Sequence, residues 1–134
     1  TMEMTAEALN ASEGLTVFTT SMRVALALDP ARHEVRVLGG RVAGRDGSLC
    51  GEDVILALTS LRLDHAMIAC SAIDDDGRVM DFDLGKIAVK KSAMRAAKRR
   101  FLLATPGKFG RSARAEIAPL AAFDRVIDGQ TNAT

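Results

Sequence analysis

The chain has 134 residues, 48% hydrophobic, 26% charged and 4% aromatic, with a net charge of +1 and a pI near 7.8. That length holds one domain with a sizeable core. The near-neutral balance excludes the basic profile of a free-standing nucleic-acid binder, and no apolar run nears the ~20 residues a membrane span needs.

The opening segment TMEMTAEALNASEG places Met2, Ala6 and Leu9 on one helical face, and Gly14 stands where a C-terminal glycine would stop the helix. A domain that opens in mid-helix reads as a fragment of a longer chain or as a cloning artefact. LTVFTT (residues 15–20) is β-branched and short, the pattern of a buried strand. Ser21 then caps a helix running to Leu28, which Pro30 ends. HEVRVLGGRV (residues 33–42) alternates like a strand and reaches a bend at Gly39-Gly40. After a loop, EDVILALTSLRL (residues 52–63) has helical spacing and acids in its first turn, which the helix dipole favours.

HAMIACSAI (residues 65–73) reads as an apolar strand bounded by the turn DDDG. GRVMDFD is a short strand or extended loop. LGKIAVKKSAMRAAKRR (residues 84–100) is expected to be helical, with Ile87, Met94 and Ala97 inward and five cations outside. FLLAT is a strand that stops at Thr105-Pro106-Gly107. SARAEIAPLAAF (residues 112–123) reads as a helix limited by Pro119, and DRVID (residues 124–128) as a last strand. The polar tail GQTNAT (residues 129–134) is expected to fray. Strands alternating with helices predict an α/β fold with a mostly parallel sheet and helices on both faces.

Cys50 and Cys70 have no CxxC motif or His/Cys cluster beside them, so they read as buried thiols in a reduced compartment, with no metal site. No signal-peptide pattern opens the sequence, and a cytoplasmic location is the expectation. Asp74-Asp75-Asp76-Gly77 lacks the alternating ligand spacing and closing Glu of a calcium loop and reads as a turn. His33 and His65 have no nucleophile at a telling distance, so neither is assigned a catalytic role, and no catalytic residue is named. The basic run KKSAMRAAKRR reads as a solvated helix face, because aromatic interleaving is absent.

In open parallel sheets, ligands sit at the carboxyl ends of strands. The residues there are Thr19, Thr20 and Ser21, then Gly39 and Gly40, then Ser71, Ala72 and Asp74, then Thr105, Pro106, Gly107 and Lys108. Hydroxyls, glycines and one Lys suit an anion: hydroxyl and backbone N–H groups donate, glycine permits close approach, and Lys supplies charge. Phosphate is the natural anion. The same residues also serve plain structural ends, Ser21 as a helix cap and the glycine pair as a turn.

The segments LTVFTTSMRVALAL, EVRVLGGRV, CGEDVILALTSLRLDHAMIACSAIDDDGRV, VKKSAMRAAKRRFLLATPGKFGRSA and FDRVIDG follow one another in an order that resembles the C-terminal effector-binding domain of DeoR-family transcriptional repressors. The resemblance covers residues 1–128. It implies a Rossmann-like sensor similar to ribose-5-phosphate isomerase and the CoA-transferase-like fold. It also implies a DNA-binding winged helix-turn-helix upstream, a phosphorylated sugar or related metabolite as effector, no cofactor, no membrane partner, and a homo-oligomer that meets operator DNA through the upstream domain only.

The ligand-binding positions it implies are Thr19, Thr20, Gly39, Gly40, Asp74, Gly77, Lys91 and Lys108. The family pattern has Asn where Thr20 stands, Asp-Ser-Ser where Thr105, Pro106 and Gly107 stand, and a Glu before Lys91 where this chain has Ile87 and Val89. Two further readings are a sugar-phosphate isomerase or deaminase of the related fold, with Asp74 or Asp76 as base, and a decayed sensor that serves only in oligomerisation.

Overall fold

A computed structural model describes residues 2–128; the tail expectation for residues 129–134 lies outside the described residues. The chain divides into two compact units, residues 1–57 and 58–134.

The first unit contains α1 (Met2–Leu9), β1 (Thr16–Thr19), α2 (Met22–Ala27), β2 (Glu34–Val37), β3 (Arg41–Val42) and β4 (Leu49–Cys50). Then α3 (Glu52–Thr59) runs across the boundary. β1 and β2 pair in parallel, Thr16 against Glu34 and Thr19 against Val37, and β3 and β4 form an antiparallel ribbon. Ala6, Val24 and Leu28 make the local core, with Met2, Leu9, Val17 and Val35 against them. Ser21 is the N-cap of α2, its hydroxyl accepting from the Val24 amide, so the capping role read from the sequence is observed.

Two polar side chains hold this unit's irregular segments. The Asn10 amide donates to the Ala27 carbonyl and accepts from the Asp29 amide, both at 2.8 Å, satisfying backbone groups around the end of α2. His33 is buried; its Nδ1 accepts from the Leu15 amide at 3.3 Å and its Nε2 donates to the Leu9 carbonyl at 2.9 Å. It thereby joins the end of α1 to the approach of β1.

The second unit contains β5 (Leu63–Ala69), β6 (Ala72–Ile73), β7 (Arg78–Asp81), α4 (Leu84–Ala96), β8 (Ala97–Leu103), β9 (Ala115–Pro119) and β10 (Arg125–Ile127). One sheet is parallel, in the order β10-β8-β5; the other is antiparallel, in the order β6-β7-β9. α4 packs on one face of the parallel sheet: Ala66, Ile68 and Leu102 from the strands meet Ile87 and Met94 from the helix. The inward Ile87, Met94 and Ala97 of the sequence reading are all buried.

The fold class is mixed α/β with parallel strands, and four sequence expectations need correction. Residues 112–123 contain no α-helix: Ala115–Pro119 is the edge strand β9 beside β7, followed by a 3-10 turn at Leu120–Ala122. An alanine-rich segment favours helix in isolation, but pairing with β7 and the burial of Ile117 override that. Pro119, which lacks an N–H, is tolerated at the end of an edge strand.

Second, α4 ends at Ala96, so Lys98, Arg99 and Arg100 belong to β8 and the basic run is not one helix face. Third, residues 65–73 are two strands in different sheets, because the chain turns at Cys70-Ser71. Fourth, α3 stops at Thr59 and Leu63 already starts β5.

Gly40 is fixed by space. A Cβ there would lie 2.5 Å from Val54 Cγ2 and 2.6 Å from the Cys50 carbonyl oxygen, whereas at Gly39 it would meet nothing within 4 Å. A backbone oxygen cannot move as a flexible side chain can, so Gly40→Ala should destabilise by about 1–3 kcal/mol, the usual cost of overpacking. Gly39→Ala should be near neutral. Urea denaturation of the two variants measures the difference; equal midpoints would contradict the packing argument.

Candidate functional site

β5 and β8 are register partners to their last residues, Ala69 against Leu103, so their carboxyl ends emerge side by side. Cys70-Ser71 follows one. Thr105 and the 3-10 turn Pro106–Lys108 follow the other. Ala104 continues the pairing by donating to the Ile127 carbonyl, and the Lys108 amide closes the turn onto the Thr105 carbonyl. Proline starts this turn because its missing N–H is one that a helical turn leaves unpaired.

At this edge stands a polar group absent from the expected site list. The Lys90 ammonium donates to Asp81 Oδ2 at 2.5 Å and to the Ala69 carbonyl at 2.8 Å. Asp81 Oδ1 accepts from the Ser71 hydroxyl at 2.7 Å and from the Phe82 amide at 2.8 Å. Asp81 is buried, and the Lys90 side chain is 21% exposed. Burial alone would raise the Asp81 pKa; the hydrogen bonds from Lys90 and Ser71 and the Lys90 charge outweigh it and hold the carboxyl below its ordinary value.

Burial pushes the Cys70 thiol up, opposed by the positive charges of Lys90 and then Lys108. Lys90 reaches the end of β5 through the Ala69 carbonyl, and Lys108 stands on the turn that follows the neighbouring strand β8. Lys90 is held by two oxygens, while the Lys108 ammonium pairs with no described residue. The Thr105 hydroxyl makes no capping bond to its turn.

In the first unit, β1 and β2 run in register and Leu38 donates to the Thr19 carbonyl, which brings Thr19 and Thr20 to the same edge as Gly39 and Gly40. The Thr19 hydroxyl oxygen accepts from the Ser21 amide, the Thr20 carbonyl accepts from Leu49, and Gly40 is pressed against its own unit's backbone.

In the second unit, Asp74 and Gly77 form the β6–β7 hairpin turn, as the DDDG pattern implies; Gly77 has φ +78°. The Asp74 carboxylate accepts from the amides of Asp76 and Arg78 and from Arg78 Nε. The Arg78 amide bond is the largest cause holding its pKa below the ordinary value. Three of its roughly four lone-pair sites are thus occupied by its own turn.

Phe109 bridges Ile73 and the Gly110 amide donates to the Ile73 carbonyl, which sets the segment after Lys108 beside this hairpin. Lys91 does not join the carboxyl edge: it lines a hollow with Arg95, Arg100 and Ile117. Its neighbour Lys90 takes the inward position.

A signal for Lys90 exists in the sequence. Ile87, Lys90, Met94 and Ala97 follow helical spacing, so Lys90 sits on the buried stripe of α4, where an apolar residue is expected. Asp81, closing a buried strand, is its counter-charge.

Two outcomes follow from the pair. Lys90→Met leaves the Asp81 carboxylate buried without its cation and should cost about 2 kcal/mol, less than a fully buried pair because Lys90 keeps some solvent access. For pH, a carboxyl depressed in the folded state stabilises above its unfolded value of ~4 and loses that contribution as pH falls through the folded value. Asp81→Asn should therefore be less stable at neutral pH and show a flatter loss of stability on acidification. Urea midpoints measured between neutral pH and pH ~3 test both; parallel curves for wild type and Asp81→Asn would refute the assignment.

Comparison with known proteins fits this architecture. The family model described as the DeoR C-terminal sensor domain matches residues 1–130. The chain is 29% identical over 128 residues to the glycerol-3-phosphate regulon repressor of Escherichia coli, covering 94% of this chain and 50% of that protein. It is 29% identical over 129 residues to the repressor of the same name from Haemophilus influenzae, covering 96% and 51%. It is 33% identical over 122 residues to the HTH-type transcriptional repressor CsqR of Escherichia coli, covering 90% and 47%. The chain thus spans about half the length of these relatives, which are named as repressors. With its parallel strands and the match over nearly its whole length, this chain belongs to the DeoR family, as a DeoR C-terminal sensor domain.

Proposed function

We propose that this domain senses a small phosphorylated polyol or sugar, without catalysing its turnover, and relays occupancy to a DNA-binding segment elsewhere in a longer repressor. The observation that carries the reading is the Lys108 ammonium. It stands on the turn that follows β8, whose carboxyl end lies beside that of β5, and has no counter-ion among the described residues. A cation on the same turn as the Thr105 hydroxyl, which makes no capping bond, suits a phosphate. The group Asp81–Lys90–Ser71 beside it offers oxygens and N–H donors that suit the hydroxyls of the same ligand. Two relatives are named for the glycerol-3-phosphate regulon, which makes glycerol 3-phosphate the first compound to try. Thr19, Thr20, Gly39 and Gly40, at the β1–β2 edge, are proposed ligand contacts from the resemblance; Asp74 and Gly77 are proposed to act by shaping the hairpin beside Lys108. Homo-oligomerisation belongs to the same proposal.

The test is thermal denaturation of the chain with glycerol 3-phosphate and a panel of sugar phosphates. At a hundredfold excess over Kd, binding stabilises by ~2.7 kcal/mol, a shift of several degrees. Lys108→Ala should abolish most of that shift while leaving the ligand-free melting temperature nearly unchanged, because the side chain has no partner among the described residues. No shift with any phosphorylated compound, or a full shift in Lys108→Ala, would remove the reading.

A further inference from the structure

A second hollow, of about 320 Å³, opens between α4, β9 and the start of β8. It shares no residue with the group at the carboxyl edge. Met94, Ile117 and Ala118 give it an apolar lining, and Lys91, Arg95 and Arg100 give it three positive charges. None of the three forms an ion pair with a described residue.

Arg100 is the informative one. It is half-buried, and its guanidinium is fixed by donating from Nε to the Met94 carbonyl at 2.8 Å and from Nη1 to the Ala122 carbonyl at 3.5 Å. The acid bonded to this residue, Asp124, is engaged differently: its carboxylate accepts from the Arg100 backbone amide. Two carbonyls use two of the five donors that a guanidinium carries and neutralise none of its charge. Lys91 and Arg95 stand four residues apart on one face of α4, where two cations oppose each other's presence rather than stabilise the helix. A held guanidinium, two flanking cations and an apolar floor form a receptor for an anion with a hydrocarbon body.

We propose that this hollow is a second ligand site, separate from the effector site, for a small organic phosphate or carboxylate bearing a short apolar chain. The anionic head meets Arg95, Lys91 and the free donors of Arg100, and the chain covers Met94 and Ile117. The volume lies at the lower end of the range of small-molecule sites and fits a body of a few carbons. The proposal does not depend on the reading of Lys108.

Isothermal titration of the chain with hexyl phosphate and with inorganic phosphate tests it. Hexyl phosphate should bind at least tenfold more tightly than inorganic phosphate, because only it covers the apolar lining. The double variant K91Q/R95Q should weaken hexyl phosphate by about tenfold or more, a loss of ~1.4 kcal/mol or greater. Both changes are at exposed helix positions, and an unchanged melting temperature verifies the fold. Lys108→Ala should leave hexyl phosphate binding intact, which separates this site from the effector site. Equal affinity for the two phosphates, undiminished binding in K91Q/R95Q, a loss in Lys108→Ala, or no binding at millimolar concentration would each overturn the proposal.

Discussion

The contact between Asp81 and Lys90 organises the second unit, because it fastens three elements with one pair of side chains. Asp81 ends β7, Lys90 lies in the middle of α4, and the Ala69 carbonyl that Lys90 also reaches ends β5. Taking such a pair out of water costs energy that a single contact would not offset. Here the carboxylate has Lys90, the Ser71 hydroxyl and the Phe82 amide, and the ammonium has two oxygens. That degree of satisfaction lets charges persist beside a hydrophobic core. It also fixes where the chain turns after β5, since Ser71 donates its own amide to the Met80 carbonyl one residue before Asp81. The switch from parallel to antiparallel pairing between Ala69 and Ala72 is thus held by polar contacts.

The pair divides the cations of this edge into two kinds. Lys90 is neutralised internally and ties Asp81 to the end of β5. Lys108 rides on a 3-10 turn after β8 and has no partner among the described residues. An unsupported cation on a loose turn would have to be ordered by its ligand, at an entropic cost. Here proline, the Thr105 carbonyl and the Phe109–Gly110 contacts to Ile73 order that turn beforehand.

Much of this was legible in the residues, and the failures have physical reasons. The parallel strands, the inward face of α4, the Ser21 cap and the DDDG turn each follow from local chemistry: periodicity, capping and turn preference. Residues 112–123 were misread because alanine's helix preference is a weak bias, and the partner strand β7 lies some 35 positions away, where no local pattern reports it. The end of α4 was misread because Lys98, Arg99 and Arg100 suit an exposed helix and an exposed strand start equally well. Lys108 and the glycine pair are visible because turn residues punctuate a sequence. Lys90 and Asp81 hide because each charge is intelligible only beside the other, nine positions away.

Lys90 and Lys91 show how much a single step along a helix decides. Adjacent residues differ by about 100° around the axis, so these two identical side chains leave α4 toward different surroundings. Lys90 falls on the Ile87–Met94 stripe and is carried into the sheet, where only a carboxylate can make it tolerable. Lys91 falls one position off that stripe, beside Arg95, and stays exposed above Ile117. A sequence motif that records only a lysine in this helix does not distinguish the two. The burial of its neighbours does, and it assigns the inner lysine to the carboxyl edge of β5 and the outer one to the hollow against β9.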